Sequence, residues 1–292
     1  MTGIGNTAIG TNALLTSVNG IELCAVGFES LYNNTSNYNT AIGYHAMFAN
    51  TTGFANFAAG DKTLDNNISG GLNTAVGNNA LGINTTGGSN TGIGADALSS
   101  NLTGSKNTAL GYSSDVGQNF LTNATAIGYN ATVQYNNVMR LGDVNVLYVE
   151  TQNSFTTVSD GRFKTNVTEE VKGLDFIKRL RPVVYNFDTK RFNEFLMQDL
   201  PDSIRRSRLD ASDYTLSTSI RQTGFIAQEV EKAAADAGYD FNGVFKPGNE
   251  KDHYSLSYDK FVVPLVKAIQ EQQGQIEELK NEITLLKALI KK

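Results

Sequence analysis

A glycine recurs about every 17 residues along the first half of the chain, and this period constrains the fold more than any other feature. Six of the seven intervals are 17 residues and one is 16, and the glycines are Gly10, Gly27, Gly43, Gly60, Gly77, Gly94, Gly111 and Gly128. Many of them close one short phrase, of which Asn39-Thr-Ala-Ile-Gly43 is an example. So strict a period is typical of one structural unit that is stacked many times. A stacked rod is usually a fibre or a binding surface and seldom a catalytic pocket.

Each repeat predicts two short strands and two turns. Small and branched residues alternate in Thr40-Ala-Ile42, which indicates a strand, and the glycine that follows indicates a turn. A second apolar pair such as Ala46-Met47 predicts a second strand, and a polar turn such as Asn50-Thr-Thr-Gly53 closes the unit. Such a unit buries an apolar face only by stacking on its neighbours. We therefore expect a mainly β repeat domain over residues 1–134, a parallel β-roll or β-solenoid with 17-residue rungs.

Asparagine and threonine also recur at fixed positions of the repeat. Stacked at one register, they are expected to form ladders of side-chain hydrogen bonds. N-glycosylation is the alternative interpretation of triplets such as Asn84-Thr-Thr and Asn101-Leu-Thr, and their shared structural period makes it the weaker one. A calcium-binding solenoid would carry an aspartate in each glycine-rich turn, whereas these turns carry Asn and Thr. We expect no metal and no cofactor.

The repeated phrase of residues 1–134 resembles the head repeats of YadA-like trimeric autotransporter adhesins. That resemblance implies a parallel β-roll packed around a threefold axis. The period is longer here than in the best-known heads, so the resemblance leaves the cross-section and the handedness of the roll open.

Composition changes near residues 134–158. Residues 1–134 hold eight Asp, Glu, Lys or Arg side chains, 20 of the 28 glycines and no proline, and all four prolines lie further on. A net charge of −5 supplies no basic patch for nucleic acid. A single cysteine excludes a disulfide framework within one chain. We expect no membrane insertion, because the sequence contains no run of 18 apolar residues.

One segment carries candidate chemistry, Ser159-Asp-Gly-Arg-Phe-Lys164. A serine and a lysine five residues apart across an Asp-Gly turn can fold back toward each other. The serine hydroxyl needs a base, and a lysine serves as one only when burial or nearby cations lower its pKa; Arg162 is such a cation. The alternative interpretation is a solvated polar turn, which the spacing alone leaves open.

The last segment has a heptad pattern. Its seam residues are separated alternately by 3 and 4 positions, and they are Val262, Leu265, Ile269, Gln272, Ile276, Leu279, Ile283, Leu286 and Ile290. Four sustained heptads predict a C-terminal coiled-coil helix over residues 259–292. The alternative is an ordinary helix that packs on its own domain. The polar layer at Gln272 and the extra apolar residue Leu289 leave the number of strands open.

Four ordered motifs, between about residue 155 and residue 285, resemble the endosialidase-type intramolecular chaperone domain. They are Ser159-Asp-Gly-Arg-Phe-Lys164, Leu180-Arg-Pro-Val-Val-Tyr185, Gly224-Phe-Ile-Ala-Gln-Glu-Val230, and Tyr258 followed by Leu265-Val-Lys-Ala-Ile-Gln-Glu271. That domain occurs at the C-terminus of phage tail spikes, tail fibres and some cell-surface proteins. The resemblance implies that it trimerises, templates folding of the preceding β-fibre and then cuts itself off. By position, it implies that Ser159 is the nucleophile, Lys164 the general base and Val158–Ser159 the cleaved bond.

These observations predict four regions. They are a β-roll repeat domain at 1–134, a β-rich junction at 135–158, an α+β chaperone and self-cleaving domain at 159–258, and the coiled coil. Residues 188–220 are polar, and we interpret them as an inserted excursion, that is, an insertion in the C-terminal half.

The expected function is a trimeric fibre or adhesin-head-like binding module whose chaperone domain assembles it and cleaves itself off, a single-turnover reaction. The expected partners are two further copies of the chain, with a cell-surface glycan or receptor on the rod. The expected location is a virion tail appendage or the extracellular cell surface. One alternative is an adhesin with an uncleaved trimerisation domain. Another is a serine hydrolase acting on external substrates, for which the sequence lacks a Gly-x-Ser-x-Gly elbow.

Overall fold

The structure is a computed structural model that describes residues 3–152 and 155–290, and the chain divides into two compact units. The first unit comprises the residues up to Glu150 together with Asp188–Ser219. The second comprises Thr151–Phe187 and the residues from Ile220 onward.

The repeat region is a parallel β-solenoid of about eight turns, which confirms the predicted fold class. Most turns contribute one three-residue strand to a nine-stranded parallel sheet, and β8 and β10 form a separate pair. The strands are β1 (Thr7–Ile9), β2 (Cys24–Val26), β3 (Thr40–Ile42), β4 (Phe57–Ala59), β5 (Thr74–Val76), β6 (Thr91–Ile93), β7 (Thr108–Leu110), β8 (Asp115–Val116), β9 (Thr125–Ile127), β10 (Thr132–Val133) and β11 (Met139–Leu141).

The interior of the solenoid is filled by two columns of side chains. The middle residue of most strands is a buried alanine, and it lies beside the alanine of the next turn, as in the register Ala41↔Ala58↔Ala75. The second column consists of larger residues, which are fully buried in the same cluster: Leu31, Met47, Leu64, Leu81 and Leu98. One small and one large side chain per turn therefore form the apolar part of this narrow interior.

The sequence predicted a second strand in each repeat, and this prediction is wrong for most turns. The apolar pair Ala46-Met47 lies in a run of turns, and Met47 has a φ of 52°. The equivalent residues Leu64 and Leu81 have φ values of 51° and 53°. A left-handed residue bends the chain inward, so the side chain reaches the core while the backbone leaves the strand conformation. Bonds between turns persist, since Met47 N–H donates to the carbonyl of Thr63 at 2.9 Å.

The repeat glycine is required by both conformation and space. Gly77 has a φ of +123°, a region that residues with side chains rarely adopt. A Cβ there would lie 2.5 Å from the carbonyl carbon of Gly94 in the next turn. The 17-residue period therefore marks a column of backbone contacts between successive turns.

Two ladders of buried asparagines run along the solenoid, as the sequence predicted. In one ladder the side-chain oxygen of Asn56 accepts a hydrogen bond from the backbone N–H of Asn73 at 2.9 Å. The side-chain oxygen of Asn73 in turn accepts one from the backbone N–H of Asn90 at 2.9 Å. In the other ladder the amide of Asn84 donates to the side-chain oxygen of Asn67 at 2.8 Å, and Asn101 donates to Asn84 at 3.0 Å. All of these side chains are at most 2% exposed.

The ladders decide the interpretation of the Asn-x-Thr triplets. Asn84 and Asn101 are fully buried and hydrogen-bonded, so their amides are inaccessible to glycosylation in the folded solenoid. The threonines differ from the expected ladder, because hydroxyls such as that of Thr51 donate to a backbone carbonyl of the next turn, here Ile68, at 2.9 Å.

Beyond the solenoid the chain forms six α-helices and four further strands among its described residues. In chain order these are α1 (Leu174–Ile177), β12 (Val183–Asn186), α2 (Thr189–Leu196), α3 (Asp202–Asp210), α4 (Thr215–Ser219), β13 (Arg221–Gly224), α5 (Ala227–Asp236), β14 (Val244–Phe245), β15 (Ser255–Leu256) and α6 (Val262–Ile290). Short 3₁₀ turns occupy Gly161–Phe163 and Tyr258–Phe261.

Helices α2, α3 and α4 form the segment expected as an inserted excursion, and they pack on the solenoid within the first unit. Arg208 of α3 forms a buried ion pair with Asp115 of β8, with 3.0 Å between its Nη2 and the carboxylate. The Ser217 hydroxyl of α4 donates to the side-chain oxygen of Asn145 at 2.9 Å. The sequence placed this segment inside the region 159–258, whereas its contacts join it to the repeats.

The second unit has a small aromatic core. Phe176 of α1 is fully buried, and its ring centroid lies 4.9 Å from that of Phe241 and 6.3 Å from that of Phe261. Val230 of α5 completes this cluster. Strands β12 and β13 pair in antiparallel fashion, with Val183 opposite Gly224.

Helix α6 confirms the predicted C-terminal helix. Its first turns pack against the second unit through Pro264 and Ala268, which are buried. The heptad residues further along are exposed in the single chain, for example Ile276 at 45% and Leu279 at 56%.

Candidate functional site

The segment from Ser159 to Lys164 folds into one tight turn. Asp160 caps the 3₁₀ turn by accepting a hydrogen bond from the backbone N–H of Arg162 at 2.9 Å. Backbone bonds from Phe163 to Asp160 and from Lys164 to Gly161, both at 3.1 Å, close the turn. An aspartate followed by glycine is suited to such a turn, because its side chain replaces a backbone acceptor.

This turn brings the two predicted catalytic residues together. The Nζ of Lys164 lies 2.7 Å from the Oγ of Ser159, which is hydrogen-bond distance. A nucleophile and a base within this distance form the pairing that hydroxyl activation requires. The carbonyl that such a hydroxyl could attack is that of Val158, which immediately precedes it.

Arg162 takes a different role from the one expected. Its guanidinium binds the carboxylate of Asp160 through two nitrogens, at 2.9 Å and 2.6 Å. These bonds lower the pKa of Asp160 and raise that of Arg162. The cation is therefore offset by Asp160, which weakens its expected effect on the neighbouring lysine.

The site is open to solvent in the single chain. Ser159 and Lys164 are exposed, and Val158 on the other side of the candidate bond is 87% exposed. Asp160 is the one half-buried residue of the turn. Burial, the main cause of a lowered lysine pKa, would have to come from a group that packs over this turn.

Three of the four motifs recognised in sequence contact one another in the second unit. Arg181 pairs with Glu229 through two hydrogen bonds, of 3.0 Å and 2.5 Å, which connects the second motif to the third. The hydroxyl of Tyr258 accepts a hydrogen bond from the backbone N–H of Phe225 at 3.0 Å. The carboxylate of Glu271 accepts one from the N–H of Leu174 at 2.7 Å. Residues from four separate stretches thus support one fold.

A comparison with protein-family models found a match that covers part of the second unit and also the segment Asp188–Ser219 of the first unit. The model described as "Chaperone of endosialidase" matches residues 159–239. Residues 159–239 are therefore similar to this family of chaperone domains. The match begins at Ser159, and it includes Lys164 and the motifs at Arg181 and Glu229. No curated protein matches the chain.

The chaperone-of-endosialidase match confirms the family resemblance for 159–239, while the motifs at Tyr258 and Leu265–Glu271 lie beyond it. The solenoid is consistent with the head-repeat resemblance of the N-terminal region. No described helix is long and apolar enough to cross a membrane.

Sequence reasoning missed the buried contact between Asp115 and Arg208. Asp115 is one of only eight Asp, Glu, Lys or Arg residues in the repeat region and replaces an apolar or small residue of the repeat, which is the signal that could have marked it. Burial raises the pKa of Asp115, and the Arg208 guanidinium opposes that shift. Its partner Arg208 could not be identified from the sequence, because 93 residues separate the two positions.

Proposed function

We propose that this chain is a trimeric fibre or adhesin-head-like module whose chaperone-of-endosialidase domain assembles the solenoid and then cleaves itself off at Val158–Ser159. The observation that carries the proposal is the 2.7 Å contact between Ser159 and Lys164 at the first residue of the family match. We place the protein in a virion tail appendage or on the extracellular cell surface. The rod would then meet a cell-surface glycan or receptor.

Assembly is needed because of the solenoid's topology. Parallel rungs pair residues about 17 positions apart, and each rung leaves an open strand edge until the next one stacks on it, so unassembled repeats are exposed to aggregation. A trimer held through helix α6 would raise the effective concentration of the three repeat regions. The exposed heptad residues Ile276, Leu279 and Ile283 supply the apolar seam for such a coiled coil.

The cleavage step follows from the position of Ser159. Neutral Lys164 takes the hydroxyl proton, and Oγ bonds to the carbonyl carbon of Val158. The C–N bond then breaks, the proton passes to the Ser159 nitrogen, and the acyl group rests on Oγ as an ester. Water hydrolyses this ester, which leaves a Val158 carboxylate and a free Ser159. One turnover per chain makes modest activation sufficient.

The exposure of the turn links cleavage to assembly. In one chain Ser159 and Lys164 are both exposed, so water surrounds their contact. Packing of a neighbouring chain over the turn would exclude this water from the contact. Cleavage would then follow trimer formation.

The cleavage test compares the full chain with its Ser159→Ala variant on a denaturing gel. The proposal expects a fragment of 134 residues, numbers 159 to 292, in the wild-type sample alone. Lys164→Met should also abolish the fragment, whereas Lys172→Met, an exposed lysine outside the turn, should leave it. An uncut wild-type chain that still forms trimers would favour the alternative, an adhesin with an uncleaved trimerisation domain.

The chaperone role has its own test. A chain that ends at Val158 should give aggregated or monomeric repeats, whereas the full Ser159→Ala chain should give a soluble trimer by sedimentation. A soluble trimer from the truncated chain would contradict the templating role, whatever the outcome on the gel.

A further inference from the structure

The 2.7 Å contact between Ser159 and Lys164 is made across a short turn of the chain. Both side chains are exposed, so tight packing does not fix their positions. Among the described residues, neither side chain forms a hydrogen bond other than the one that joins them. The conformation of the turn between them therefore decides whether the two atoms meet.

Asp160 holds this turn with one oxygen of its carboxylate. Its Oδ1 accepts a hydrogen bond from the backbone N–H of Arg162 at 2.9 Å, in the position of a helix N-cap. A side-chain acceptor at this position satisfies an N–H that the first turn of a helix otherwise leaves unpaired. Together with the backbone bonds donated by Phe163 and Lys164, this cap closes the turn.

The second oxygen of the same carboxylate has a separate partner. Oδ2 accepts hydrogen bonds from the Nε and Nη2 of Arg162, at 2.9 Å and 2.6 Å. The Arg162 side chain is 80% exposed, and an ion pair so open to water contributes little to stability. The cap and the ion pair are thus two separate contacts of one side chain, and substitutions at residue 160 can separate them.

We propose that Asp160 is a positioning residue for self-cleavage, and that it acts through the Oδ1 cap rather than through its charge. The cap keeps the turn closed, and the closed turn keeps Nζ of Lys164 at hydrogen-bond distance from Oγ of Ser159. The carboxylate takes no proton, since Lys164 is the base. The reaction is that of the proposed function, whereas the geometry is that of the uncut chain.

A small displacement is enough to inactivate such a pair. Proton transfer from Ser159 to Lys164 needs the two atoms within about 3.2 Å of each other. A displacement of about 1 Å can slow a reaction about a hundredfold. Loss of a cap favours the open form of a helix terminus by about fivefold. A chain without the cap should therefore be cut more slowly, although Ser159 and Lys164 are both present.

The test measures how fast the fragment of 134 residues appears in full chains that differ only at residue 160. Asp160→Asn keeps a capping oxygen without the charge, and its rate should stay within about threefold of wild type. Asp160→Glu keeps the charge on a longer side chain outside the preferred capping residues, and Asp160→Ala keeps neither. Both should slow cleavage by about fivefold or more.

Asp175→Ala is the matched control. Asp175 also forms an exposed ion pair with an arginine, Arg179, at 2.8 Å, but it lies in α1, outside the turn. Its loss should leave the rate of cleavage unchanged. A slow Asp175→Ala protein would mean that the loss of any exposed ion pair slows the reaction.

A second measurement does not depend on cleavage. In the Ser159→Ala chain the bond stays intact, and NMR with isotope-labelled lysine follows the backbone amide of Lys164, which donates to the Gly161 carbonyl at 3.1 Å. Adding Asp160→Ala should move this resonance toward the position of an unstructured lysine, whereas adding Asp160→Asn should leave it in place. An uncut wild-type chain would therefore contradict the proposed cleavage and leave the role of the cap to be decided by NMR.

Three results would overturn the inference. The first is a rate for Asp160→Asn as low as that of Asp160→Ala, which would assign the charge rather than the cap to the reaction. The second is a rate for Asp160→Ala equal to that of wild type. The third is an unchanged Lys164 resonance when Asp160→Ala is added to the Ser159→Ala chain.

Discussion

Gly77 lies at a φ of +123°, with the carbonyl carbon of Gly94 2.5 Å from where a Cβ would stand. We expect Gly77→Ala to destabilise the solenoid by about 3 kcal/mol or more, because backbone strain and the clash act together. Gly274→Ala is the control, since nothing lies within 4 Å of its added Cβ, and in a helix it should add up to about 1 kcal/mol. Thermal unfolding by circular dichroism measures both, and equal melting of the two variants would contradict the contact.

Asn67 shows how far a single buried amide supports the stack. It donates to the side-chain oxygen of Asn50 at 2.7 Å and to the carbonyl of Gly70 at 2.9 Å, and it accepts from Asn84. Asn67→Ala leaves these groups unpaired, so we expect a loss of about 2–4 kcal/mol in the free energy of unfolding. The exposed neighbour Asn66 is the control, and Asn66→Ala should cost under about 1 kcal/mol in urea unfolding. Similar costs for both would argue against the ladder.

At the scale of elements, the attachment of α3 to the solenoid depends on the Arg208–Asp115 pair. Asp115 is fully buried and also accepts a hydrogen bond from the backbone of Val116 at 2.8 Å. Arg208→Met would leave this carboxylate without its cation, at a cost of about 3–5 kcal/mol. We expect faster proteolysis within 188–219 and a lower melting temperature. Adding Asp115→Asn should restore part of the loss, and no restoration would mean that the pair is not the cause.

The same pair gives a pH dependence. Folding raises the pKa of Asp115, so its folded form binds a proton more readily than its unfolded form. Its contribution to stability is therefore greatest below the ordinary aspartate pKa and falls as the pH rises through the raised value. Without the guanidinium the pKa rises further, so the deficit of Arg208→Met should be largest at neutral pH and smaller in acid. A deficit that grows on acidification would contradict this assignment.

The sequence predicted what depends on local pattern and period. The glycine at Gly77 and the asparagine at Asn67 follow from the period, whereas the pairing of Ser159 with Lys164 was implied by the family resemblance and left open by spacing alone. The turn conformation at Met47 was not predictable from the pattern, because an apolar pair looks the same in a strand and in a left-handed turn whose side chain points inward. The packing of α3 on the solenoid was not predictable either, because it depends on tertiary contacts between segments far apart in the chain.

At the scale of the whole molecule, the solenoid exposes a column of aliphatic side chains. The third residue of the paired strands points outward, and Ile42, Ile93 and Leu110 are 42%, 38% and 47% exposed at equivalent positions. Soluble monomers rarely expose continuous apolar surface of this kind. In the proposed trimer this column would be buried between rods, while α6 holds the chains together.

If α6 holds the chains together and the aliphatic column packs the solenoids, a change in the column should loosen the repeat region without separating the chains. In the full chain with Ser159→Ala, Ile93→Lys combined with Leu110→Lys should leave α6 intact and disturb only the packing of the solenoids. We expect trimers whose repeat region is readily proteolysed, because three lysine pairs would repel one another and lose apolar contact. Ile68→Lys is the control, since Ile68 is 48% exposed but lies in a turn rather than in the column. Sedimentation measures the oligomeric state, and limited proteolysis measures how well the repeat region resists cleavage. Equal resistance to proteolysis in the double variant and in Ile68→Lys would place the contact between rods on another face.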